Sequence, residues 1–202
     1  MKRFFVYCLV LVAGVSIANA QKIVLKSGSF KEIKSEKFFN IQYDYSDMGV
    51  GKFDKEEDYI KKKVADYNEK EAGRGAEWRE AWISDRDSRF HPKFEELLNK
   101  YLDEKGVFVG EENKDAKYTM VLKTTFTEPG YNVYVSKKPA KINVILSIVE
   151  SANPENVVVS IISKNNPGRS MGMNDFDTGE RIEEAYAKCG KELGKWIVKK
   201  GL

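Results

Sequence analysis

The sequence predicts an α+β fold, a two-layer sandwich in which a largely antiparallel or mixed sheet of about four to five strands carries helices on one face. Three consecutive runs alternate along the chain with period two and are rich in β-branched residues: 117–126, 141–150 and 156–163. Helical patterns precede this block, and a long amphipathic helix follows it. The order strand, helices, three strands, helix favours helices on one face of the sheet.

The first twenty residues predict a signal peptide. Lys2 and Arg3 precede an apolar run over 4–17, and small residues at 18–20 form a cleavage site. The run is too short and wrongly flanked for a membrane-spanning helix, and no later stretch approaches the required length. We therefore expect residues 21–202 to form a single α+β domain. No Cys follows the cleavage site, so we expect a periplasmic or secreted protein without a lipid anchor.

The net charge and the cysteine content narrow the classes of protein that this chain could belong to. Removing Lys2 and Arg3 lowers the net charge from +3 to +1, and this near balance argues against nucleic-acid binding. Cys8 leaves with the signal peptide and only Cys189 remains, so no intramolecular disulfide is expected in a compartment that would permit one. The stability of the domain must then come from packing.

Before the three-strand block, residues 37–45 alternate as a strand that joins the sheet at an edge or beside its first predicted strand. Three helical patterns follow, over 54–71, 76–85 and 92–104. Asp54 with Glu57 resembles an N-cap and its reciprocal partner, and Pro92 suits the first turn of a helix.

The remaining connections carry turn signals. Residues 131–135 lie between two proline-containing turns and form either a short strand or an aromatic-tipped loop. Residues 152–154 mark a tight, antiparallel hairpin between the second and third strands. Asp177 with Glu180 predicts the start of the terminal helix, whose apolar stripe includes Cys189.

Two candidate chemistries have simpler explanations. His91 and Cys189 could form a Cys-His nucleophilic pair, but Cys189 falls on an apolar helix stripe, where a buried thiol behaves as a small hydrophobic group. The oxygen-rich run 174–180 could bind Ca²⁺, but it lacks the full loop and its terminal bidentate Glu. Helix capping explains Asp177 and Glu180 without an ion. We predict no catalytic residue, no metal site and no cofactor.

A segment rich in aromatic and charged residues is the candidate ligand or partner surface. Trp78 and Trp82 form an i, i+4 pair, with Glu77 and Glu80 beside them. The aromatic run around Tyr131 and Tyr134 could complete this surface. Carboxylates beside aromatic rings suit a glycosidase site, whereas the interleaved arginines favour an ordinary solvated helix face.

The second half of the chain loosely resembles small exported bacterial domains. The residues that carry the resemblance are the strand start 115–122, the paired strands after it, and the closing helix over 181–186 and 194–197. The family includes uncharacterised periplasmic proteins and domains related to TolB N-terminal and curli-pore-like lipoproteins. The resemblance implies an α/β binding or assembly domain and carries no catalytic residues to this chain. The missing lipobox Cys departs from the lipoprotein pattern.

Two functions follow as hypotheses. The favoured one is an exported, non-enzymatic domain that binds an envelope protein or a small ligand. The alternative is a small carboxylate-dependent glycan hydrolase that uses the segment 78–87. The oligomeric state and the identity of the partner are not predicted by the sequence.

The second sheet face raises a separate question. The face opposite the expected core carries four apolar residues: Ile145, Val149, Val158 and Ile162. A sheet packed on one face only would show cleaner alternation. We therefore expect either a cover over this face or a contact surface on it.

Overall fold

A mixed seven-stranded sheet forms one layer of the molecule. The structure is a computed structural model that describes residues 20–133, 135–168 and 177–202, so the predicted signal peptide lies outside the described residues except for Ala20. The seven strands are β1 (Lys22–Gly28), β2 (Phe38–Asp44), β3 (Gly49–Val50), β4 (Phe108–Val109), β5 (Tyr118–Glu128), β8 (Lys141–Glu150) and β9 (Asn153–Pro167). A separate hairpin is formed by β6 (Tyr131–Val133) and β7 (Ser136–Lys138).

The strand order is β1-β9-β8-β5-β2-β4, and β3 pairs with the end of β5. From β1 through β9 and β8 to β5, successive strands are antiparallel, whereas β2 runs parallel to both β5 and β4. The α+β class and the mixed sheet are confirmed. The predicted count of four to five strands is wrong. β1 was not predicted as a strand, and β3 and β4 are only two residues long and cannot show a period-two pattern.

One face of the sheet is the core face. A row of paired residues crosses it from β1 to β2: Leu25, Ile161, Leu146, Leu122 and Tyr43. The three central members of this row are fully buried. Helices pack on this face, as the buried hydrogen bond between the Tyr186 and Thr124 hydroxyls shows (2.7 Å).

The neighbouring row lies on the opposite face: Val24, Ile162, Ile145, Lys123 and Asp44. Its apolar members are half-exposed or exposed, and Lys123 forms an ion pair with Asp44 (3.3 Å). This second face, which we call the open face, therefore meets solvent along its central strands.

The described residues contain four α-helices: α1 (Glu56–Asn68), α2 (Arg74–Asp85), α3 (His91–Leu102) and α4 (Thr178–Lys200). α3 and α4 approach closely at Gly190. A Cβ atom on this residue would lie 2.3 Å from the Phe94 carbonyl oxygen, so the approach requires glycine here. None of the helices in the described ranges is long and apolar enough to cross a membrane.

Two helix starts test the predicted caps. The Asp177 side chain accepts a hydrogen bond from the Gly179 N–H (2.7 Å), which confirms the N-cap of α4. The predicted cap at Asp54 is wrong, because Lys55 occupies the N-cap of α1 and no side chain caps that helix. The acidic first turn of α1 still complements the helix dipole.

α2 continues into α3 through a π-helical turn over Arg86–Phe90. The His91 N–H donates to the Arg86 carbonyl, five residues earlier. Pro92 explains this wider turn, because in a regular α-helix its ring would clash with the Ser88 carbonyl four residues earlier. The turn fixes the position of His91 at the start of α3.

Candidate functional site

A cavity of about 650 Å³ lies along the outer edge of β2. It is bordered by β2 on one side, by the start of α3 on another, and by the loop after β4. Its lining is mostly polar and contains groups of both charges: Asn40, Ile41, Gln42, Tyr43, His91, Glu111 and Lys114.

The cavity exists because the pairing between β2 and β4 stops early. β4 pairs only with Phe38 and Phe39. The Gly110 N–H and the Asn113 side-chain amide then both donate to the Phe39 carbonyl (3.1 Å each). The chain turns away at this point, so the rest of β2 has no neighbouring strand on this side among the described residues.

His91 forms the wall of the cavity on the helix side. Its ring stacks on Tyr43, with the ring centres 3.5 Å apart and the planes 5° from parallel. Its Nε2 lies 3.0 Å from the Tyr45 hydroxyl, and its Nδ1 lies 3.2 Å from Oδ1 of Asp87. The residue is only 9% exposed. Both ring nitrogens and one ring face are therefore held by the protein.

Burial lowers the pKa of His91 to about 4, and the Asp87 carboxylate only partly opposes this effect. The imidazole is thus neutral at pH 7. A neutral imidazole has one donor nitrogen and one acceptor nitrogen. Since the Asp87 carboxylate can only accept, Nδ1 carries the proton and Nε2 accepts from the Tyr45 hydroxyl.

Tyr43 connects this wall to a partly buried carboxyl group. The Tyr43 hydroxyl donates to Oε1 of Glu95 (2.8 Å). Burial raises the pKa of Glu95, and the nearby Glu111 and Glu112 carboxylates raise it further. Burial also raises the pKa of both Tyr43 and Tyr45 well above the usual value, so both hydroxyls stay protonated. The result is a rigid set of hydrogen-bonding groups with a surplus of carboxylates nearby.

The predicted tryptophan pair lies elsewhere and serves helix packing. Trp78 and Trp82 stack on each other with ring centres 5.6 Å apart, and α1 contributes Tyr59 and Tyr67 to the same cluster. Trp82 is 8% exposed, and its Nε1–H donates to Glu56 of α1 (2.6 Å). Trp78 is half-buried. The pair therefore joins α1 to α2.

The rest of the predicted surface stays a prediction. Glu77 and Glu80 are exposed, and they lie about 100° and about 200° around the helix axis from Trp78. Tyr131 lies on the β6–β7 hairpin, where its hydroxyl is 3.2 Å from that of Ser136. Tyr134 lies outside the described residues. The glycan-hydrolase alternative thus stays a prediction, and its carboxylates Glu77 and Glu80 point away from the aromatic pair.

The other two candidate chemistries can be located as well. Cys189 is fully buried, and burial raises the pKa of its thiol, so the packing role predicted for it is confirmed. In the run 174–180, the first three residues lie outside the described residues. Asp177 caps α4 and forms an ion pair with Arg89 (2.9 Å). Within the described ranges, no group of three His, Cys, Asp or Glu residues is placed to hold a metal ion.

Comparisons with known proteins found no matching family model and no matching curated relative. Among solved structures, the PelC dodecamer from Paraburkholderia phytofirmans is 13% identical, with a TM-score of 0.37, and the match covers 87% of this chain and 98% of that one. A putative neuraminyllactose-binding hemagglutinin homolog from Helicobacter pylori is 13% identical with a TM-score of 0.32, covering 82% and 83%.

Protein XCC0632 from Xanthomonas campestris is 16% identical with a TM-score of 0.33, covering 54% of this chain and 60% of that one. All three of these solved structures are of bacterial proteins. The finer relation to TolB N-terminal and curli-pore-like domains stays a prediction.

Proposed function

We propose that this chain is an exported, non-enzymatic domain that binds a partner protein or a small ligand, and that the cavity beside β2 is its binding site. The single observation that carries the proposal is the fixed polar wall formed by His91 and its neighbours. A site whose groups are held before the ligand arrives loses less conformational freedom on binding. Together with the charged groups of Glu111 and Lys114, this wall offers several hydrogen-bonding and ionic contacts within a single cavity.

The protonation states favour binding over catalysis. A general base works best with a pKa near the operating pH, whereas His91 has a pKa of about 4. Its Nε2 lone pair already accepts from Tyr45, and its Nδ1–H faces Asp87. These groups hold one another in place, which suits recognition of a ligand more than proton transfer.

The export part of the proposal rests on the N-terminal sequence. The basic start, the apolar run and the small residues before Gln21 fit a cleaved leader. When the full chain is expressed from Met1 in a bacterial host, N-terminal sequencing of the exported protein should begin at Gln21.

Binding can be tested with a panel of free amino acids, dipeptides and simple sugars, each screened by its effect on the melting temperature. The variant Gln42→Trp places an indole on an exposed residue that lines the cavity. The matched control Val157→Trp adds the same ring on exposed β9, away from the cavity lining. Compounds that raise the melting temperature of wild type and of the control should fail to do so with Gln42→Trp. Equal shifts in all three proteins would place the ligand elsewhere, and no shift in any would count against binding of these classes.

A further inference from the structure

The outer edge of β2 carries backbone N–H and C=O groups that continue beyond the last residue paired with β4. Successive residues of a strand direct their N–H and C=O groups to alternate sides. The carbonyls of Lys37 and Phe39 accept from Phe108 and Gly110, so the odd-numbered residues of β2 face β4. Ile41 and Tyr43 continue this side beyond the point where β4 ends. Their backbone groups therefore face the cavity, whose lining includes both residues.

These groups have no hydrogen-bond partner within the described part of the chain. Ile41 is nevertheless only 2% exposed. Backbone N–H and C=O groups that are buried in folded proteins are almost always paired, because leaving them unpaired is costly. The cavity leaves room on this side of β2, and an incoming backbone that pairs with Ile41 and Tyr43 would supply the missing ladder, so the free edge favours a ligand that offers such groups.

We propose that the cavity receives an extended peptide segment of a partner protein, which adds to the outer edge of β2 as a further strand. This inference rests on the proposed function and names the class of its ligand. Ile41 and Tyr43 present donor and acceptor pairs about 7 Å apart, which is the repeat of two residues in an extended chain. An extended peptide backbone offers matching groups at the same interval, as in other cases of β-strand addition.

The charges around the cavity indicate the side chains that such a peptide carries. An added strand would direct alternate side chains toward the His91 side and toward the Asn40 side. Carboxylates outnumber cations around the cavity. Asp87, Glu95 and Glu111 lie near the imidazole or the Tyr43 hydroxyl, against Arg86 near His91 and Lys114 in the lining. The peptide therefore carries Lys or Arg at alternate positions, facing His91.

The first test uses the peptide Ac-TKTKTKT-NH2 with the mature chain, and follows amide hydrogen exchange by NMR. The amides of Ile41 and Tyr43 should exchange more slowly when the peptide is bound. The Gln42 amide provides an internal control, because it faces β5 and should not change. The charge-reversed peptide Ac-TETETET-NH2 should bind more weakly than the cationic one.

The second test separates strand addition from other binding modes. Two further versions of the cationic peptide are methylated on the backbone nitrogen of every Thr or of every Lys. Only one of these sets faces β2 in an added strand, so one version should bind as the parent does and the other should lose about tenfold or more in affinity.

The outcomes distinguish this inference from the proposed function. Equal binding of both methylated versions, or unchanged exchange at Ile41 and Tyr43, would overturn strand addition. Lack of binding by the cationic peptide would overturn it too. If a compound of the small-molecule panel still bound in a manner blocked by Gln42→Trp, the proposed function would stand without the peptide. If Gln42→Trp altered no binding at all, both would fail.

Discussion

His91 is the only histidine in the chain, so a single imidazole signal reports on the candidate site. Burial between Tyr43, Tyr45 and α3 lowers its pKa to about 4, below the usual value of 6.5. In an NMR titration of the folded protein, the imidazole C–H signals should therefore stay unchanged from about pH 8 to about pH 5.5. A midpoint near 6.5 would show that the ring is open to solvent and that the wall of the cavity is not fixed.

The same pKa links stability to pH. The unfolded imidazole takes up a proton near pH 6.5, and the folded one only near pH 4. Between these values the unfolded state binds more protons, so stability that is present above about pH 6.5 is lost as the pH falls toward 4. The difference corresponds to about 3 kcal/mol. Urea unfolding should show this loss in wild type, and the variant His91→Gln should lack that contribution.

The sequence predicted the role of Cys189 but not that of His91. Cys189 belongs to a helix stripe, so its burial follows from local periodicity. Asp87 is four residues from His91, but the aromatic partners Tyr43 and Tyr45 are 48 and 46 residues away in the chain. They meet His91 only when β2 packs against α3. Periodicity within one element contains no information on which elements become neighbours.

At the scale of elements, β8 and β2 were predicted closely, whereas β1 was missed and β9 extends beyond its predicted range of 156–163. β8 spans Lys141–Glu150, as the alternation predicted, and β2 differs from its predicted range by one residue at each end. The direction of β2 was not visible, because a parallel pair requires a crossover connection. Here that crossover contains β3, α1, α2, α3 and β4, so its geometry depends on the packing of all five.

An ion pair with low exposure holds the start of α1, in addition to the aromatic contacts of Tyr59 and Tyr67. The helix contains no buried residue and no side-chain cap. Glu56 at its start accepts hydrogen bonds from Arg86 and from the Trp82 indole, and the Glu56 and Arg86 side chains are 15% and 18% exposed. We expect Glu56→Ala to lower the free energy of unfolding by about 3 kcal/mol, because it leaves a mostly buried charge without its partner.

The matched control for this ion pair lies on the same helix. Asp66 pairs with Lys62 on the exposed side of α1, so Asp66→Ala should change stability little. Denaturant unfolding measures both variants. Similar effects of the two substitutions would show that Glu56 contributes no more than a surface ion pair.

At the scale of the whole molecule, the helices cover one face of the sheet and the other face stays open. The sequence showed apolar residues on both faces of the central strands and predicted either a cover or a contact surface. The described helices contact the face that carries Leu146, whereas Ile145 and Ile162 on the open face are half-exposed. Val149 and Val158, which the sequence placed with them, are buried. Period-two patterns identify which residues share a face, but the tertiary packing decides which face is buried.

Two adjacent residues of β8 test this arrangement. Leu146 is fully buried beneath the helices, so Leu146→Ala should lower the free energy of unfolding by about 3 kcal/mol through lost apolar contact and a cavity. Ile145 points to the open face, so Ile145→Ala should cost only about 1 kcal/mol. Both values come from urea unfolding at neutral pH. Equal costs would mean that the open face is covered in solution, and concentration-dependent unfolding of wild type would then identify the cover as a second copy of the chain.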